Sequence, residues 1–228
     1  KLYPESNSDR LRKKLATKNK IKEENVFVGN GSDEVLALSF LTFFSGRGNL
    51  CFPDVTYSFY PSLAKLFEIP CEILETSKNF KINLNDISKN TSSVIFPNPN
   101  AITGLGLKKN YIEKYLTLHP DVFFIIDEAY VDFGAETCLP LINHYKNVLI
   151  IQTFSKSRSL AGLRIGTCYG DPDLINALNA TKNSFNSYPV DRIASIAAIA
   201  SIDDQKWHLD HINKIIINRN YLTNKLEE

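Results

Sequence analysis

Short runs of mainly apolar residues recur along the chain at 26–28, 49–52, 71–76, 93–96, 122–126, 148–151 and 165–169. Each is too short for a helix and apolar at successive positions, which predicts strands buried on both faces of a sheet. Between them the apolar spacing changes to three and four. Leu11 and Leu15 lie four apart behind Ser6 and Ser8, either of which can cap a helix that lysines and Asn19 close. Further helices are predicted at 34–44, from the Pro53 segment through Phe67, briefly at 84–88, at 111–118, after Gly170-Asp171-Pro172, and from 186–190 to near Asp203. Residues 207–226 carry apolar side chains at 209, 212, 215, 216, 222 and 226, the pattern of an amphipathic helix. Strands alternating with helices in one run predict an α/β fold, a three-layer domain around a mainly parallel, mixed sheet.

Chemistry-bearing residues collect where predicted strands end. Val122-Phe123-Phe124-Ile125-Ile126 delivers Asp127-Glu128-Ala129-Tyr130, and the strand at 148–151 delivers Thr153-Phe154-Ser155-Lys156, with Arg164 eight residues beyond Lys156. Open α/β sheets bind ligands in the crevice outside the strand ends. Lysine amines form Schiff bases with aldehydes once desolvated or set beside a cation, so Lys156 is either a covalent anchor for an anionic aldehyde or an exposed loop lysine. The strand at 26–28 runs into Gly29-Asn30-Gly31-Ser32-Asp33 and then a helix. Glycines there let backbone approach a ligand and first-turn N–H groups face an anion; the alternative is a plain turn capped by Ser32 or Asp33. Tyr57 offers a flat face to a planar ring or fills the core beside Phe59 and Tyr60.

Taken together, Asp127-Glu128-Ala129-Tyr130, Ser155-Lys156 and Arg164 resemble the fold-type-I aminotransferases that depend on pyridoxal phosphate. Asn30-Gly31-Ser32-Asp33-Glu34 and Pro53-Asp54-Val55-Thr56-Tyr57-Ser58-Phe59-Tyr60 look most like the histidinol-phosphate aminotransferases among them. The resemblance runs from Tyr3 to about residue 205. It implies a cofactor-binding large domain over 1–205 and, over 206–228, a helix leading into a small C-terminal domain that is mostly absent. It also implies that Lys156 bonds pyridoxal 5'-phosphate and moves protons, that Asp127 keeps the pyridine nitrogen protonated, and that Tyr130 faces the ring's phenolic oxygen. Gly31, Ser32, Asp33, Ser155 and Arg164 would hold the phosphate, Tyr57 would stack on the ring, and Tyr3 would reach the phosphate of a partner subunit in a homodimer. One segment departs from the family pattern. Pro97-Asn98-Pro99-Asn100-Ala101-Ile102-Thr103-Gly104 has Ala101 and Ile102 where related chains carry Asn-Pro, often with a cis peptide. A cis bond before isoleucine is costly, so a trans or differently shaped loop is expected there, with Asn100 or Asn98 supplying the amide.

Composition narrows the class further. The 228 residues are 43% hydrophobic, enough for a sizeable core, and 26 Lys and Arg against 25 Asp and Glu give a net charge of +1. Nothing in that balance favours a nucleic-acid or membrane surface, and no stretch is apolar enough to span a bilayer or begin as a signal peptide. Cys51, Cys71, Cys138 and Cys168 lack CxxC spacing, and three lie in or beside strand-like runs, which predicts buried free thiols in a reducing cytoplasm and no metal site. His208 and His211 are read as solvated helix residues. Methionine is absent even at position 1, so the chain is expected to be a segment, or a sequence from which modified methionines are missing. The resemblance extends full-length members by ~50 residues before Tyr3 and well past residue 228.

The expected activity is amino transfer between histidinol phosphate and 2-oxoglutarate, a small-molecule amino donor and oxo acid, in histidine biosynthesis. A sibling aromatic aminotransferase or threonine-phosphate decarboxylase is the next reading. A transcription regulator with an aminotransferase-like domain is the third; it would need a basic DNA-binding head upstream, which these 228 residues do not include.

Overall fold

The computed structural model describes residues 3–184 and 186–227. Strands β1 (Val26–Asn30), β2 (Asn49–Pro53), β3 (Cys71–Leu74), β4 (Thr91–Pro97), β5 (Phe123–Asp127), β6 (Val148–Thr153) and β7 (Ile165–Gly170) form one sheet in the order β1-β7-β6-β5-β4-β2-β3. The pairs β2–β3, β2–β4, β4–β5 and β5–β6 are parallel; β7 is antiparallel to both neighbours. With β7 reversed, β1 points the same way as β6. The ends of β1, β4, β5 and β6 and the start of β7 therefore share one edge.

The strands have two buried faces because each strand's side chains alternate between two cores. Phe124 and Ile126 join Leu11, Leu15, Ile112, Leu116, Ala194 and Ala198 on one side. Ile125, Leu149 and Ile151 join Val35, Phe40, Tyr60, Leu63 and Leu178 on the other. Helices α1 (Asp9–Asn19), α4 (Lys109–Leu118) and α6 (Arg192–Asp203) thus cover the first face, and α2 (Gly31–Phe43), α3 (Phe59–Leu66) and α5 (Pro172–Asn183) the second. The 23-residue α7 (Gln205–Glu227) follows α6 and buries only His208 and Ile212.

Several local expectations need correction. Ser8 precedes α1 in a left-handed conformation without capping it through its side chain. Residues 186–190 are not helical; α6 starts at Arg192, where the Asp191 carboxylate accepts from the Ala194 N–H at 2.9 Å. Cys51, Cys138 and Cys168 are buried free thiols, but Cys71 is exposed, because β3 is an edge strand. His208 is 3% exposed rather than solvated.

The register of β1 on β7 places Gly29 opposite Gly166. A Cβ on Gly166 would lie 2.3 Å from the Gly31 carbonyl carbon and 2.4 Å from the Ser32 nitrogen, both backbone atoms that cannot swing aside. Gly166→Ala should lower the denaturant unfolding midpoint by the equivalent of ~1–3 kcal/mol, the usual cost of overpacking. An unchanged midpoint would contradict this close approach.

Candidate active site

One cleft at the shared sheet edge brings together Ser32, Asp33, Tyr57, Asp127, Tyr130, Ser155, Lys156 and Arg164. Its floor is Asp127, the last residue of the central strand β5 and only 4% exposed. The Tyr60 hydroxyl donates to Asp127 Oδ2 at 2.8 Å and the Ala129 N–H to Oδ1 at 3.1 Å. Burial still holds the Asp127 carboxyl above the usual range, helped by the nearby Asp33 charge; the two hydrogen bonds and Lys156 pull the other way. A buried carboxylate of this kind is suited to a cationic partner. Glu128 turns to the opposite side. It accepts from Thr137 Oγ1 at 2.6 Å, from Gln152 Nε2 at 2.8 Å and from the Cys138 N–H, and so fastens the loop after β5.

The anion-binding wall comes from two distant segments. The first turn of α2 presents Ser32 and Asp33, and Arg164 lies across it with Nη2 at 2.9 Å from Asp33 Oδ2. Gly31 has φ +78°, and a Cβ there would fall 2.3 Å from Arg164 Nη2, so only glycine allows the guanidinium so close to the helix start. Glu34 fixes the turn by accepting from the Asn30 N–H at 2.6 Å and from Asn186 Nδ2 at 2.9 Å. Tyr57 donates to Asp33 Oδ1 at 3.1 Å, and its ring meets Tyr60 edge-on at 5.8 Å. Burial and the Asp33 charge push the Tyr57 phenol up to about 12, so it stays a donor.

Lys156 follows β6 through Ser155, whose hydroxyl accepts from Thr153 Oγ1 at 3.0 Å. Its Nζ stands 5.2 Å from the centre of the Tyr130 ring. Two expected contributors lie elsewhere. Asn100 is buried with Nδ2 on the Val55 carbonyl at 2.7 Å and Oδ1 on the Ile102 N–H at 2.9 Å, outside the cleft wall. Asn98 is likewise engaged with Leu107. Ala101 lines the cleft in their stead, and the cis peptide among the described residues is Asn98–Pro99, ahead of the Ala101-Ile102 position. Tyr3 stacks on Tyr188 at 5.1 Å in a separate cleft. Sequence reasoning missed Tyr60 as the partner of Asp127. Its place three residues after Tyr57, at the start of a helix, was the available signal.

The family model for class I and II aminotransferases matches residues 1–228. The chain belongs to the class I and II aminotransferases. It is 46% identical over 228 residues to a histidinol-phosphate aminotransferase of Clostridium botulinum (strain Okra / Type B1), covering all of this chain and 64% of that protein. The chain thus spans under two thirds of that relative's length. Among solved structures, the histidinol-phosphate aminotransferase of Clostridium acetobutylicum superposes with a TM-score of 0.90 at 24% identity, over 99% of this chain and 68% of that one. That of Sinorhizobium meliloti, solved with pyridoxal-5'-phosphate, gives 0.84 at 21% identity, over 96% and 61%. These two likenesses establish the aminotransferase fold.

Class I and II aminotransferases depend on pyridoxal phosphate, and the residues here fit that group. The glycine-bounded turn under Arg164 suits a phosphate, and the buried Asp127 suits a protonated ring nitrogen.

Burial raises Glu128 from 4.5 to about 7. The folded chain then holds a proton that the unfolded chain releases, so stability should fall as pH rises from about 4.5 to about 7, by on the order of a few kcal/mol. Glu128→Gln should flatten that slope in denaturant titrations; an equal slope in both proteins would contradict it.

Proposed function

We propose that this chain is the cofactor-binding part of a pyridoxal-phosphate-dependent aminotransferase that exchanges the amino group of histidinol phosphate with 2-oxoglutarate and acts as a homodimer. The observation that carries the reaction type is the meeting of Lys156, Asp127 and the Gly31–Arg164 anion wall in one cleft. The substrate rests on the identity to a histidinol-phosphate aminotransferase across the whole of this chain.

Bound pyridoxal phosphate supplies an electron-withdrawing ring that stabilises negative charge on a substrate carbon. Asp127 holds the proton on the pyridine nitrogen, and Tyr60 and Ala129 fix its two oxygens in that orientation. The first-turn amides at Ser32 and Asp33 with the Ser155 hydroxyl and Arg164 bind the phosphate, arginine contributing paired planar donors. Tyr57 would cover the cofactor ring and Tyr130 would supply a hydroxyl donor to it. Lys156 is the attachment point. With its amine free, Lys156 Nζ would take the proton from the substrate carbon and return it, as base and then acid. Tyr3 serves a partner's site, which accords with its place outside this chain's own cleft.

The test uses the full-length protein containing this chain, loaded with pyridoxal phosphate and given histidinol phosphate without an oxo acid. The visible band of the lysine-bound cofactor should give way to the near-ultraviolet band of pyridoxamine phosphate. A band that ignores histidinol phosphate would move the substrate to that of a sibling enzyme. Lys156→Ala should lose the visible band and ~100-fold or more of turnover, and full activity in that variant would overturn the assignment.

A further inference from the structure

Three buried side chains that the proposed chemistry does not use, Ser157, Arg158 and His208, gather around the exposed Asp132 next to the Lys156 loop. Asp132 sits in the single turn Val131–Phe133, directly after Tyr130. Its Oδ2 accepts the hydroxyl of Ser157, the neighbour of Lys156 in sequence. The same oxygen stands 3.6 Å from Nε2 of His208 on α7. Three helical turns on, Arg219 Nη1 donates to the Phe133 carbonyl at 2.9 Å, so α7 grips this turn at two points. Arg158 packs beside them, buried, with Nη1 on the carbonyl and hydroxyl oxygens of Ser201 in α6. His208 Nδ1 and Arg158 Nη2 are buried without a hydrogen-bond partner among the described residues.

The charges facing His208 come from three directions. Burial first, then Arg158 from the loop after β6 and Lys18 from α1, hold the imidazole below its ordinary value; Asp132 and the Ser157 backbone oppose them. At neutral pH the ring is therefore uncharged and Asp132 Oδ2 is left to the Ser157 hydroxyl. An imidazolium changes that balance, because a charge-assisted N–H···O bond is roughly twice as strong as a neutral one.

We propose that His208 is a positioning residue for Lys156: packed uncharged against the Asp132 turn, it leaves that carboxylate to Ser157 and, on gaining a proton, competes with Ser157 for Asp132 Oδ2 and loosens the Lys156 loop. The inference rests on the reading of Lys156 as the cofactor-bearing lysine. It makes the seating of α7 a condition for an ordered Lys156, and it places an acid-sensitive contact at that joint.

The test compares the full-length, cofactor-loaded protein with its His208→Gln and Ser157→Ala variants from about pH 5.5 to about pH 8.5. Acidification should lower wild-type kcat ~3–10-fold more than that of His208→Gln, with KM for the amino donor unchanged within about twofold. Ser157→Ala should have reduced kcat throughout and lack that acid limb. The visible band of the substrate-free enzyme should shift with the same midpoint in the wild type and lose that component in both variants. In the cofactor-free protein, Asp132→Asn should lower the titration midpoint of the His208 ring followed by NMR. An identical acid limb in His208→Gln, or a His208 midpoint unmoved by Asp132→Asn, would overturn the proposal. Failure of the visible band to form in the wild type would instead sink the aminotransferase reading, while the ring titration still decides the His208–Asp132 link.

Discussion

A carboxylate at the end of the middle strand of a seven-stranded sheet has little water to solvate it, and the arrangement around Asp127 follows from that constraint. Tyr60 and the Ala129 amide each satisfy one of its oxygens, which fixes the plane of the group. Those contacts leave its charge poorly compensated, so burial dominates and the carboxyl is held above its usual range. A cationic ring nitrogen would remove that penalty. The site is thus complementary to its proposed cofactor before the cofactor arrives, in the manner of a preorganised electrostatic pocket.

The opposite wall depends on the absence of side chains. Gly31 and Gly166 let β7, the start of α2 and the Arg164 guanidinium come closer than any Cβ would permit. The reversed direction of β7 makes this possible, since it brings Arg164, at that strand's beginning, to the same edge as the ends of β1, β5 and β6. Asp33 accepts from both Arg164 and Tyr57, so cation, helix start and aromatic cover are fixed relative to one another. The long sequence separations close only because sheet order is set by the two apolar cores.

Much of this was legible in the chain itself. Strands buried on both faces leave unbroken apolar runs, and residues at their ends are the ones an α/β sheet exposes to ligand, so Asp127, Lys156 and the Gly31 turn stood out as candidates by position, while a loop lysine and a plain capped turn stayed open until the family resemblance was weighed. What stayed hidden depends on partners far away in sequence. The antiparallel entry of β7 has no local signature. Asn100 has the residue type for a ring contact, yet the Val55 carbonyl and the Ile102 amide occupy both ends of its side chain. His208 lies one turn before the buried Ile212 on the same helix face, yet a lone histidine there reads as readily as a solvated one, and its partners in the Asp132 turn and the Arg158 loop are far away in sequence. Residues 186–190 read as a helix start because Asp191, the real cap, lies just beyond them.

The most direct test of the central claim is to reduce the cofactor-loaded full-length protein with borohydride and map the modified peptide by mass spectrometry. The account predicts a single pyridoxyl group, on Lys156, with Asp127→Ala weakening cofactor retention before reduction. A pyridoxyl group on another lysine, or stoichiometric loading in a Lys156→Ala protein, would contradict it.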